Sequence, residues 1–123
     1  MTQLEALNQL LEKVGAGVAS VSNPAARAFE PESGGGPCTF HQVSKAYNGS
    51  MDAALSLFDS VLSGWVISSI DWKWGDLVEA NVWRVDGEGW HTDGLPKAVG
   101  ASSSPACALL IAIIKAKIAE LEA

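Results

Sequence analysis

Nine consecutive apolar residues, Ala106 to Ile114, lie near the C-terminus directly after Ser104-Pro105. Serine can cap a helix and proline fits its first turn without losing a hydrogen bond, so a helix opens there, and the pattern carries it to about Leu121. Cys107, Leu110, Ile111, Ile114, Ile118 and Leu121 form its main apolar stripe, yet Leu109 and Ile113 widen that stripe well beyond one face. Such a helix needs cover on more than one side. A sheet can supply one side. The other has to come from a helix over residues 51–62, from an N-terminal helix, or from a second subunit, and pairing of copies through the N- and C-terminal helices is one expected arrangement.

The sheet is written between residues 65 and 92. Trp65 to Ile70, Trp72 to Trp74 and Leu77 to Val85 are rich in β-branched and aromatic residues, and Gly75-Asp76 sits between them at hairpin spacing. Alternation puts Val78, Ala80 and Val82 on one face of the second strand, and Leu77, Glu79, Asn81, Trp83 and Val85 on the other. After the turn Asp86-Gly87-Glu88-Gly89, Trp90-His91-Thr92 is expected as a short third strand, and Leu95 to Ser103 as a loop.

Upstream, Thr2 and Glu5 make a capping box. Leu4, Leu7, Leu11, Val14 and Val18 then give one apolar stripe, with Glu5, Asn8, Glu12 and Lys13 off it, and Gly15 and Gly17 end the helix. Residues 20–46 collect Ser, Asn, Pro and the run Gly34-Gly35-Gly36 and read as a loop. Ser50 caps a second helix over Met51 to Leu62, with Ala54, Leu55, Phe58, Val61 and Leu62 as its apolar side and Gly64 closing it in a left-handed conformation. The expected fold is a single α+β domain over residues 1–123, an antiparallel three-stranded sheet packed against helices in the order α-α-β-β-β-α.

A chain of 123 residues, 48% hydrophobic and 18% charged, can bury a real core without disulfides or metal. Its eight Lys and Arg are spread along the chain against a net charge of -6, which argues against direct binding to nucleic acid. The longest apolar run is too short to cross a bilayer, no signal peptide is recognisable, and two cysteines make no disulfide framework; a cytoplasmic protein with no membrane partner is expected.

From Tyr47 onward the order is a loop, the helix Ser50-Met51-Asp52-Ala53-Ala54-Leu55, then Gly64-Trp65, the tryptophan-bearing strands, a Ser/Gly loop, and Pro105-Ala106-Cys107-Ala108-Leu109-Leu110-Ile111-Ala112. This arrangement resembles the phage ABA sandwich domain family of small phage and prophage proteins, over about residues 47–123. The resemblance implies a phage accessory protein outside the virion, acting in the host cytoplasm. It carries over no catalytic residue.

Cys38-Thr39-Phe40-His41 has the spacing of half a zinc site, with His91 and Asp93 as an imaginable other half, but Cys107 sits inside an apolar helix and the second thiolate is missing. No metal and no cofactor are expected. A Cys38/His41 nucleophile pair has nothing to orient it. Asp71, Asp76, Glu79, Asp86, Glu88 and Asp93 are more simply turn formers and solvated edge residues than an acid/base pair. Gly34 to Gly36 lacks the Lys-Ser/Thr of a phosphate loop.

Tryptophan is the surplus. Trp65, Trp72, Trp74, Trp83 and Trp90 fall within 26 consecutive positions. Core packing and cross-strand pairing account for some of them, but a thin sheet covered on one side cannot hide all five. Trp72, Trp74, Trp83, Trp90 and Tyr47, beside Arg84 and His91 and with Lys73, Arg27 or Lys97 as further cations, would make a stacking platform for a planar ligand or a hot spot for a protein. With the resemblance, the expectation is a non-enzymatic accessory protein that counters a host defence by sequestering a small nucleotide-like signal. The alternatives are an anti-CRISPR-like inhibitor that contacts a host protein, a small hydrolase using His41 or His91 with a carboxylate, and an oligomer-forming module.

Overall fold

The apolar run Ala106 to Ile114 forms the middle layer of the fold. In the computed structural model, which describes residues 3–16, 45–62, 64–85 and 95–122, it lies in helix α3, Pro105–Glu122. On one side α3 packs on the sheet; on the other it meets α1, Gln3–Ala16, and α2, Met51–Val61. Ala106, Leu109, Leu110, Ile113, Ile114 and Ala116 are all buried, as a helix that is apolar nearly all round must be. The cover it needs is supplied within the chain. Expected stripe member Leu121 is exposed, because the buried surface follows the 109, 110, 113 and 114 positions, and in the last turn it is Glu120 that meets the sheet.

The sheet has three antiparallel strands in the order β1-β2-β3: Trp65–Trp74, Leu77–Arg84 and Lys97–Ser102. With the helices this is the α+β class and the element order expected from sequence. The β1–β2 hairpin turns through Gly75-Asp76, and Gly75 has φ +48, the left-handed value a tight two-residue connection needs at its first central position. Val78, Ala80 and Val82 are buried against α3, as their alternation predicts.

The third strand is a correction. Residues 97–102 pair with β2 throughout, where the sequence reading placed a loop, while Trp90-His91-Thr92 lie outside the described residues. Ala98-Val99-Gly100-Ala101-Ser102 is a poor strand by propensity, but pairing and close packing override propensity in a sheet. Gly100 faces α3, where an added Cβ would run into the carbonyl oxygen of Ala108 and lie 2.5 Å from the nitrogen of Ala112. At Gly100 the sheet therefore meets Ala108 and Ala112 of the helix backbone to backbone, and the neighbouring small residues Ala80 and Ala98 are buried as well.

The two smaller helices pack with slightly rotated faces. In α1 the buried positions are Ala6, Leu7, Leu10 and Val14, with Leu4 and Leu11 only half-buried, so Leu10 and not Leu11 is central; Glu5, Asn8 and Glu12 are exposed as expected. Thr2 and Val18 lie outside the described residues. Ser50 caps α2 by accepting from the Ala53 N–H at 3.2 Å, and Gly64 beyond its end has φ +86, both as read. On its apolar side Leu57 is buried and Leu55 is 40% exposed, the reverse of the expectation, because α3 lies beside the 54, 57, 58 and 61 face. Among the described residues no helix is long and apolar enough to cross a membrane.

Candidate functional site

The sequence-predicted site residues that the structure describes fall into three separate places. Trp72 and Trp74 stand at the turn end of the β1–β2 hairpin, 65% and 79% exposed, with Leu77 also exposed beside them. The pair does not share a face in the simple i, i+2 sense. A register shift between them sets Trp72 across from Val78 and Trp74 across from Leu77, residues of opposite faces of β2. Both rings are largely exposed, although Val78, directly across from Trp72, is buried.

Trp83 and Arg84 lie at the other end of β2, and as strand neighbours they point to opposite faces. Six residues separate Leu77 from Trp83, about 20 Å at the usual strand rise. One small planar ligand cannot span both ends. Trp83 is half-buried on the face away from α3, across from Val66 and Lys97, and the Lys97 ammonium sits 5.0 Å from the ring centroid in a cation–π contact. Lys97 was among the cations expected near the rings; it meets Trp83, not Trp72 or Trp74.

Arg84 faces inward and is bound up in a structural cluster. The Glu120 carboxylate near the end of α3 accepts from the Arg84 guanidinium at 2.6 Å and from the Trp65 indole N–H at 2.6 Å through one oxygen. Its other oxygen accepts from the Lys117 ammonium at 3.1 Å, and Lys117 also donates to the Val61 carbonyl at the end of α2. Trp65 is thus a buried core ring with its N–H satisfied. Sequence reasoning missed Lys117 and Glu120, although a lysine set into an apolar run with a glutamate three residues on is the signal that could have found them.

Tyr47 is in a third place, against the start of α3. The Cys107 thiol donates to its carbonyl oxygen at 3.0 Å. Burial pushes the Cys107 pKa up from the ordinary value near 9.0, opposed by smaller contributions from hydrogen bonds to Ser104 and Ser102. Raised and engaged in this way, the thiol is a poor nucleophile at neutral pH. An open depression of about 450 Å³ lies here, with Tyr47, Asn48, Ser102, Ser104 and Cys107 among its lining residues. Trp90, His91, Cys38, His41, Asp93 and Arg27 lie outside the described residues. Among the described residues no group of three His, Cys, Asp or Glu could hold a metal ion.

The charge around the hairpin end is acidic. Asp71 and Glu79 are direct cross-strand partners, Lys73 approaches Glu79 at 3.8 Å, and Asp76 occupies the turn. Two aromatic faces, one aliphatic side chain and a carboxylate excess therefore occupy one protruding corner. No protein family, curated protein or solved structure matches this chain.

Proposed function

We propose that this chain is a non-enzymatic binding protein whose contact surface is the turn end of the β1–β2 hairpin, and that its partner is a protein and not a nucleotide. The observation that carries this reading is the exposure of Trp72 and Trp74, at 65% and 79%, next to exposed Leu77. Large rings held on a short hairpin lose little entropy on binding, and aromatic anchors dominate the energetics of protein contacts. Nucleotide sequestration is the weaker reading on chemistry, since a phosphate needs cations and among the described residues this corner carries Asp71, Asp76 and Glu79 against Lys73. The resemblance to phage ABA sandwich proteins supplies the biological setting. In that setting the partner is a host protein, and the chain acts in the host cytoplasm by occupying a component of a defence system.

Site-specific photo-cross-linking in cells tests this directly. A photoreactive residue at position 74 should give a discrete protein adduct that is lost when Trp72 is also replaced by Ala, whereas the same group at exposed Leu55 on α2 should not. Identical adduct patterns from the two positions would sink the proposal. Titration of the purified protein with a nucleotide panel should leave the Trp72 and Trp74 signals unchanged, and saturable binding there would restore the nucleotide reading.

A further inference from the structure

We infer that the partner surface recognised by the hairpin end is arginine-bearing. This rests on the proposed contact surface and deepens it. By its pairing Trp74 shares the sheet face of Asp71 and Glu79, while Trp72 lies on the opposite face of the same hairpin end. Among the described residues Trp72 and Trp74 have no cation over them and no ring partner, whereas Trp83, on the same sheet, has Lys97 over its face. Nor do Asp71 and Asp76 form an ion pair among the described residues; the one ammonium at this end, Lys73, approaches Glu79.

The register adds a second observation. Asp71 and Glu79 are directly opposed across the β1–β2 ladder, a placement that costs stability in an isolated sheet because the like charges repel. Lys73, 3.8 Å from Glu79, offsets part of that repulsion, and a cation brought from outside to Asp71 relieves the rest. Indole faces attract a guanidinium through the ring quadrupole, carboxylates bind it in bidentate fashion, and arginine sheds its water more readily than lysine. Among the described residues three carboxylates, one ammonium and two exposed indoles at this end therefore complement a surface that presents arginines. Anionic partners and phosphate backbones are repelled by the same groups.

The test is fluorine NMR of the full chain labelled with 5-fluorotryptophan, its signals assigned by Trp72→Phe and Trp74→Phe. The probes are a short serine peptide carrying three arginines, the matching lysine peptide, and phosphatidylcholine vesicles. The arginine peptide should move the Trp72 and Trp74 signals and leave Trp65 and Trp83 in place. Affinity should fall about tenfold for the lysine peptide, and about tenfold again for the arginine peptide against Asp71→Asn/Asp76→Asn. Still Trp72 and Trp74 signals, equal affinity for both peptides, an unchanged Asp71→Asn/Asp76→Asn variant, or movement of these signals by vesicles alone would each overturn the inference. If the peptide arm fails while the position-74 adduct persists, the contact surface stands and only its arginine preference falls. Absence of the adduct removes both.

Discussion

Gly100 lets α3 lie directly on the sheet, since even a methyl group there would strike the Ala108 carbonyl and the Ala112 nitrogen. Backbone atoms cannot swing aside as the end of a flexible side chain can. Gly100→Ala should therefore cost about 3 kcal/mol, at the upper end for overpacked sites, measurable by urea unfolding. Nothing in the local sequence announces this role. A glycine between Val99 and Ala101 has the same look in a loop as in a strand, and what decides is an alanine-bearing helix face reached only through the fold. Cys107 is similar: its place in an apolar run suggests a small core residue, and the structure leaves it half-buried with its thiol donating to Tyr47. Because burial raises its pKa above 9.0, alkylation should be slow at neutral pH and accelerate only above the pH at which an ordinary thiol ionises. The linked stability has the same sign. It is complete below the unfolded thiol pKa and lost as the pH rises through the higher folded value. Alkylation rates and unfolding midpoints measured between neutral pH and pH values above that range check both statements.

Helix α3 joins the elements through its apolar middle and through one polar cluster at its end. Glu120 ties β1 by Trp65, β2 by Arg84 and, through Lys117, the C-terminal end of α2 by Val61. Lysine at that carbonyl also suits the negative end of the α2 dipole. Glu120→Ala removes the carboxylate that balances the buried Lys117 ammonium and takes away the acceptor of the Trp65 indole N–H, and should cost about 3 kcal/mol or more. Replacing Lys117 by Met together with Glu120 by Leu should cost less than the two single changes added, a non-additivity that a double-mutant cycle in urea reads out. The helices and the hairpin were legible in the sequence because Ser50, Ser104-Pro105 and Gly75-Asp76 are strong local signals and because Val78, Ala80 and Val82 alternate cleanly. Strand β3 was not. Its residues are small, its strand character comes from pairing with β2, and the more strand-like Trp90-His91-Thr92 drew the assignment away from it. The faces of α1 and α2 were each displaced by one or two positions, since Leu10 against Leu11 and Leu57 against Leu55 are settled by where α3 lies and not by spacing.

Three layers make up the molecule: the sheet, α3, and the pair α1 and α2. This arrangement buries α3 without a second copy of the chain, so the width of its apolar stripe no longer argues for oligomerisation. The tryptophan surplus divides the same way. Among the described residues Trp65 is absorbed by the core and Trp83 is half-covered beneath Lys97, which leaves Trp72 and Trp74 as the largely exposed rings. The sequence showed that some rings must be displayed. It could not say which, because the face of each ring on β1 depends on register shifts between Ile67 and Ser69 and between Trp72 and Trp74 that no alternation pattern predicts. Equilibrium urea unfolding of Trp72→Ala/Trp74→Ala, run beside Trp65→Ala, tests most directly whether these two rings stand apart from the core. Exposed rings held for contact predict a change within about 0.5 kcal/mol for the double variant, while the buried Trp65 loses about 3 kcal/mol or more. A loss of several kcal/mol in the double variant, matching that of Trp65→Ala, would place the hairpin rings in the core and contradict the account.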